Sequence, residues 1–250
     1  MTKIVVFDSG MGSLSVIKPI QKRIKAEIIY FADQKNYPYG TKTVPQLDKI
    51  IKSTIVTLQE KFSPDVIIVG SNTPSLLLHI EKKDKIFGVY PPLKEAVSKT
   101  RSGKIGILAT RTVVKSKTLD MYIKKNVPNK IHVTKINATQ LVDLVESGRF
   151  ISQKQLSKDI IQKIIKLHVE NNIDVFTLSS THLPFLVPML TELFPDITFL
   201  DPADTVARRV AKISKHKSKR SRLKIYSSGN ISTFQKQLQK IGIKNKVNPL

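Results

Sequence analysis

Two short segments of this 250-residue sequence carry side chains that could move a proton or hold a small polar ligand. Asp65-Val66-Ile67-Ile68-Val69-Gly70-Ser71-Asn72-Thr73-Pro74-Ser75-Leu76-Leu77 aligns without gaps on Asp174-Val175-Phe176-Thr177-Leu178-Ser179-Ser180-Thr181-His182-Leu183-Pro184-Phe185-Leu186. In each, Asp-Val opens an apolar run, and a serine, Ser71 or Ser180, stands six residues after the Asp. Small hydroxyl or amide residues and a helix start follow. Any two strand–turn–helix units share some of this, because Asp, Ser, Thr and Pro favour such turns. The matched register adds an internal duplication as an expectation; if the halves face each other, Ser71 and Ser180 would approach one cleft from opposite sides.

Four further polar turns are expected on the same edge. Asp8-Ser9-Gly10-Met11-Gly12-Ser13 follows a strand-like run but is not a GxGxxG and lacks the Lys of a P-loop, which argues against a nucleotide. It offers backbone N–H groups and a helix start beside Asp8. Residues 33–41 end in Tyr37-Pro38-Tyr39-Gly40-Thr41, a rigid Pro–Gly turn with two phenols. Thr110-Arg111-Thr112 and Asp201-Pro202-Ala203-Asp204-Thr205 complete the set. Hydroxyls, amides and backbone donors around one carboxylate suit a small amino acid or dicarboxylate. Its α-carboxylate would take the N–H and hydroxyl donors, and Asp8 would hold the ammonium. Ser180, His182 and Asp8 also have the residue types of a hydrolytic triad, a weaker reading because His182 lies only two residues from Ser180.

The elements that must position these turns alternate along the chain. Strands are expected at 4–7, 28–31, 66–69 and 87–90, with helices at 14–24, 45–62, 76–81 and 92–99. After Arg101-Ser102-Gly103-Lys104 a second series begins. It has strands at 105–108, 131–136, 175–178 and 197–200, and helices at 115–124, 140–146, 153–171, 184–193 and 203–213. A strand at 223–227 and a helix at 233–241 close the chain. This pattern predicts an α/β fold of two pseudo-symmetric domains with mainly parallel sheets. The expected domains are 1–99 plus 214–250, and 100–213. Ligands in such folds collect at the C-terminal ends of strands, and an active-site cleft between the domains follows if the two halves face each other.

Composition removes whole classes of chemistry. There is no cysteine, so no disulfide, Cys-ligated zinc, iron–sulfur cluster or thiol mechanism is open to these residues. His79, His132, His168 and His216 lack ligand spacing, and no metal is expected. Tyr37, Tyr90 and Tyr122 read as packing residues. No secretory leader and no apolar run near the ~20 residues of a membrane span is visible, so a soluble cytoplasmic protein is expected. The net charge is +23. Only eight of the 42 basic residues are arginine, the better residue for bidentate phosphate contacts. The densest cluster is Lys212, Lys215, Lys217, Lys219, Arg220, Arg222 and Lys224, a solvated linker or a nucleic-acid-contacting patch.

The motifs resemble those of the glutamate racemase family, within the aspartate/glutamate racemase superfamily. Phe7-Asp8-Ser9-Gly10-Met11-Gly12-Ser13-Leu14 is similar to its opening signature, and Tyr30-Phe31-Ala32-Asp33 followed by Pro38-Tyr39-Gly40-Thr41-Lys42 to its second motif. Ser71-Asn72-Thr73 and Ser180-Thr181-His182-Leu183-Pro184 occupy the places where the family pattern reads Cys-Asn-Thr and Cys-Thr-His-Tyr-Pro. Residues 141–148 and 227–230 are similar to later segments. The resemblance spans essentially the whole chain.

It implies a cofactor-independent amino-acid racemase of two α/β domains, commonly dimeric, that supplies D-glutamate for cell wall biogenesis. It implies a glutamate or aspartate pocket lined by Asp8, Ser9, Pro38, Tyr39, Gly40, Asn72, Thr73, Thr110, Thr112, Thr181 and His182. Ser71 and Ser180 would stand at the proton-transfer positions, assisted by Asp8 and His182. In the family one thiolate removes the α-proton and a second thiol reprotonates the opposite face. A thiol near pKa 8.5 can be brought to partial thiolate. An alcohol offers negligible alkoxide at neutral pH, so the expectation is impaired two-base turnover. The alternative is a non-catalytic amino-acid-binding or regulatory homologue with a basic nucleic-acid-contacting surface.

Overall fold

The computed structural model describes residues 1–80, 85–213 and 220–250. In chain order the elements are β1 (Lys3–Asp8), α1 (Leu14–Arg23), β2 (Glu27–Ala32), α2 (Val44–Phe62), β3 (Val66–Val69), α3 (Asn72–Leu77) and β4 (Ile86–Gly88). The chain continues through α4 (Leu93–Lys99), β5 (Lys104–Ala109), α5 (Arg111–Val114), α6 (Lys117–Asn126), β6 (His132–Asn137), α7 (Thr139–Glu146), α8 (Arg149–Ser152), α9 (Lys154–Glu170), β7 (Val175–Leu178), α10 (Val187–Leu193) and β8 (Thr198–Leu200). It returns with α11 (Ala203–Ile213), β9 (Arg222–Ser227), α12 (Ile231–Lys240) and β10 (Val247–Pro249).

The chain divides into one unit of Met1–Val89 and Ala203–Leu250 and a second of Tyr90–Pro202. The sequence placed the crossings about ten residues later, at 99/100 and 213/214. Packing explains both shifts. Helix α4 lies against β7 and β8 of the second sheet, and α11 lies along α1 of the first unit.

The first unit holds a six-stranded sheet ordered β10-β9-β2-β1-β3-β4, and the second a four-stranded sheet ordered β6-β5-β7-β8. Every pairing in both is parallel. In the first sheet Val5, Phe7, Ile29, Phe31, Ile67 and Val69 pack on Leu47, Ile51 and Leu58 of α2. On the opposite face the Tyr30 ring stacks on Phe234 of α12. Burial on both faces is what near-continuous apolar strands such as Val66-Ile67-Ile68-Val69 require.

The second sheet repeats the run β2-β1-β3-β4 of the first. Residues 4–7 pair with 66–69, and 105–108 pair with 175–178. The Gly70 N–H donates to Phe7 O at 2.8 Å, as the Ser179 N–H does to Leu108 O at 2.8 Å. The Asp33 N–H donates to Asp8 O (2.7 Å), as the Ala138 N–H does to Ala109 O (2.8 Å). The gapless sequence echo is therefore an echo of topology and register.

Local chemistry sets the element ends. Thr43 and Gln46 form a reciprocal capping box at the start of α2. The helix expected at 115–124 starts instead at Lys117, because Ser116 caps it, its Oγ accepting the Leu119 N–H (3.2 Å); the short α5 precedes it. Helix α3 begins at Asn72 rather than at 76, because Pro74 sits in its first turn, where its missing N–H costs nothing. Strand β10 was not expected: three residues ending in proline carry no strand signal, yet Val247 pairs with Ile225 at the sheet edge. Of the basic cluster, Lys215, Lys217 and Lys219 lie outside the described residues, as does His216.

Candidate active site

In the first unit, Asp8 ends β1 and is buried, with one carboxylate oxygen accepting the Ser9 N–H at 2.7 Å. The turn that follows, residues 9–13, is held from two sides. The Tyr30 hydroxyl donates to Gly10 O. From the other side, Gly70 presses so closely that a Cβ there would stand 2.3 Å from Ser13 Cβ. Glycine at 70 therefore lets the turn after β3 lie against the turn after β1. It brings Ser71, Asn72 and Thr73 beside the segment that carries Asp8 and Ser9.

Ser71 occupies the N-cap position of α3, half-buried, and its side chain makes no capping bond. Ser75 anchors the turn from below. Its Oγ donates to Ser71 O (2.6 Å) and accepts the Val89 N–H (2.9 Å). Asn72 is buried, its Nδ2 donates to Val89 O at 3.1 Å, and its Oδ1 has no hydrogen-bond partner.

Pro38, Tyr39 and Gly40 follow β2 in an eleven-residue excursion through two short 3₁₀ turns, Gln34–Asn36 and Tyr39–Thr41. Asp33 clamps this loop. Its carboxylate accepts from Asn36 Nδ2 (2.8 and 3.0 Å), the Tyr39 hydroxyl (3.0 Å), the Ser228 hydroxyl (3.2 Å) and Thr54 Oγ1 (3.5 Å). The Tyr39 N–H reaches Ser9 Oγ at 3.4 Å. Burial, then the charges of Asp33 and Asp8, push the Tyr39 phenol well above its ordinary value, so it stays protonated and donates to Asp33.

In the second unit, Ser180, Thr181 and His182 follow β7 and are all buried. His182 Nε2 lies 2.8 Å from Glu146 Oε2, with both side chains largely covered, 8 % and 14 % exposed. Glu146 is the last residue of α7. Sequence reasoning passed over its role: residues 141–148 were singled out as a segment, but nothing in their spacing points to a histidine 36 positions on. Thr110 precedes α5 and Thr112 lies within it, both half-buried at the end of β5. No hydrogen bond joins Ser180 Oγ to the His182 ring among the described residues. His182 Nε2 is taken by Glu146 rather than by the serine, and without a Ser180–His182 bond the triad reading has no support in the second unit. The turn at 201–205 straddles the crossing between the units, with Asp201 in the second and Ala203 in the first.

Two parallel α/β sheets with polar turns gathered at the C-terminal ends of their central strands define a class of small-ligand proteins. No family model matches the chain. Among curated proteins, glutamate racemase of Photorhabdus laumondii is 30% identical over 223 residues, covering 86% of this chain and 77% of that protein. Among solved structures, a glutamate racemase isoform from Bacillus anthracis superposes with a TM-score of 0.85 at 22% identity, covering 100% of this chain and 97% of that one. The Escherichia coli glutamate racemase, solved with L-glutamate and the activator UDP-MurNAc-Ala, superposes with a TM-score of 0.84 at 25% identity, covering 100% and 98%. The chain belongs to the glutamate racemase family.

Proposed function

We propose that this protein binds glutamate and that its two-base racemisation is strongly impaired. The observation that carries the reading is the pair Ser71 and Ser180. They stand at matched places after the matched strands β3 and β7, in a chain with no cysteine. Neither hydroxyl is hydrogen-bonded to a side-chain base among the described residues, so nothing there lowers the cost of forming an alkoxide. The ligand class rests on the donor set and on two buried acceptors, the Asp8 carboxylate and Asn72 Oδ1. A buried carbonyl oxygen without a partner costs about 1–3 kcal/mol, and a ligand ammonium removes that cost. The relative solved with L-glutamate supports the same class.

His182, two residues along the chain from Ser180, forms a largely buried hydrogen-bonded pair with Glu146. In this reading the hydroxyl at 180 cannot use it efficiently, because a neutral alcohol is too weak an acid. The test is α-proton exchange of L- and D-glutamate in deuterated water, followed by NMR. Ligand binding with exchange near the uncatalysed rate is expected, and a double Ser71→Cys, Ser180→Cys variant should gain exchange from both enantiomers. Ready exchange by the serine protein would overturn the proposed impairment.

A further inference from the structure

We infer that the groove between α1 and α11 is a binding surface for the phosphodiester backbone of nucleic acid. A cavity of about 510 Å³ lies there, lined by Lys22 and Arg23 of α1 and by Thr205, Arg208, Arg209, Ala211 and Lys212 of α11. Both helices belong to the first unit. Lys22, Arg23, Arg208 and Lys212 are exposed, and Arg209 is half-buried with its guanidinium 5.3 Å from the centre of the Phe87 ring.

Three features separate this groove from the general positive charge. Arginine makes up eight of the chain's 42 basic residues, yet three of the five cations lining the groove. Its planar fork matches phosphate oxygens two at a time. The arginines are also pre-positioned, Arg208 by a 3.0 Å hydrogen bond to Thr205 Oγ1 and Arg209 by its stack on Phe87. The third feature is the weak ion pairing of Arg23. Arg23 meets Asp204 only at 3.6 Å, between side chains 38% and 60% exposed, a geometry that water and salt largely screen.

A second cavity, in the other unit, makes the contrast. It is lined by Lys124, Lys130 and Lys135, has no arginine, and holds Asp120 within 2.6 Å of Lys135.

A polymer is favoured over a free phosphate because the charge of the whole chain, +23, acts over many phosphates at once. Counterion release scales with the number neutralised. A second copy of this chain would bring a like-charged face to the same groove and be repelled.

Fluorescence anisotropy of a labelled duplex across a potassium chloride series tests the assignment. Two variants of equal charge are compared: Lys22→Gln, Arg208→Gln, Lys212→Gln, and the control Lys124→Gln, Lys125→Gln, Lys130→Gln. The groove variant should lose about 10- to 100-fold in affinity at low salt, and its log–log salt slope should flatten by about 2–3. The control should stay within about twofold. The double variant Lys22→Gln, Lys212→Gln leaves the Arg208–Thr205 bond intact and should flatten the slope by about 2. Equal losses in groove and control variants would overturn the proposal in favour of diffuse charge. No binding at low salt would also overturn it, as would displacement by inorganic phosphate at the same phosphate concentration.

Discussion

The two units build their serine-bearing turns on one backbone plan and equip them differently. In the first, a buried carboxylate stands on the strand, at Asp8. The matching position in the second unit, by register and by the backbone bond to the following turn, is Ala109. There the buried ionisable side chain comes from elsewhere, as His182 in the turn after β7, with Glu146 at the end of α7 at 2.8 Å. The turns after the second strands differ too. Asn137 Oδ1 accepts the Thr139 N–H and hydroxyl, and the chain enters α7 at once. After β2 the chain makes the long excursion that Asp33 must clamp. A duplicated scaffold thus fixes where side chains emerge, while their chemistry diverges from turn to turn.

The sharpest way to probe that comparison is to restore thiols on both sides. The double Ser71→Cys, Ser180→Cys variant should raise glutamate α-proton exchange by about 10³-fold or more, roughly 4 kcal/mol of barrier. In that background, Asp8→Asn and His182→Asn should each cost about 10²-fold. Each should slow exchange from one enantiomer more than from the other, measured by NMR from each pure substrate. Equal effects on both enantiomers would break the idea that the units serve different proton transfers.

Tyr39→Phe comes next, removing the phenol from Asp33 in the first unit only. It should lower stability by about 1–2 kcal/mol in urea unfolding and weaken glutamate binding. The matching turn of the second unit has no such clamp to lose.

The smallest effect concerns the aspartates that open β3 and β7. Asp65 accepts one backbone bond, from Lys3 N–H at 2.9 Å. Asp174 accepts from the Thr100 hydroxyl (2.7 Å), the Arg101 and Ser102 N–H groups (2.7 and 2.9 Å) and the Ser102 hydroxyl (2.9 Å). Partial burial alone would raise the Asp174 carboxyl, but these donors together hold it below the ordinary value. Asp174→Asn should cost about 1 kcal/mol at neutral pH, and Asp65→Asn less. The folded value lies below the unfolded one, so the Asp174 contribution is complete above the unfolded value. It fades as pH falls through the folded one. Thermal melts from neutral to strongly acidic pH should show the wild-type and Asp174→Asn curves converging.

Much of the fold was legible in the sequence. Apolar period and turn residues located nine of the ten strands among the described residues, and the Asp65–Leu77 and Asp174–Leu186 alignment announced the duplication. Strand β10 escaped because three edge residues carry no periodic signal. The α3 start was displaced because Pro74 and its polar neighbours read as turn. Motif residues such as Asp8, Ser71 and His182 could be named from the sequence because their local types and order are distinctive. Glu146 could not be paired with His182, since side-chain contact across 36 residues leaves no mark on local spacing.

The sequence by itself determined the class of the fold, the matched positions of Ser71 and Ser180, and the absence of any thiol to work there. Those properties follow from short-range patterns and residue identity. Tertiary structure alone decided that Glu146 engages His182, that Asp33 clamps the Tyr39 loop, and that α1 and α11 gather three of eight arginines into one groove. Each depends on helices and turns distant in the chain being packed to within hydrogen-bonding or side-chain reach, and only the assembled sheets set those distances.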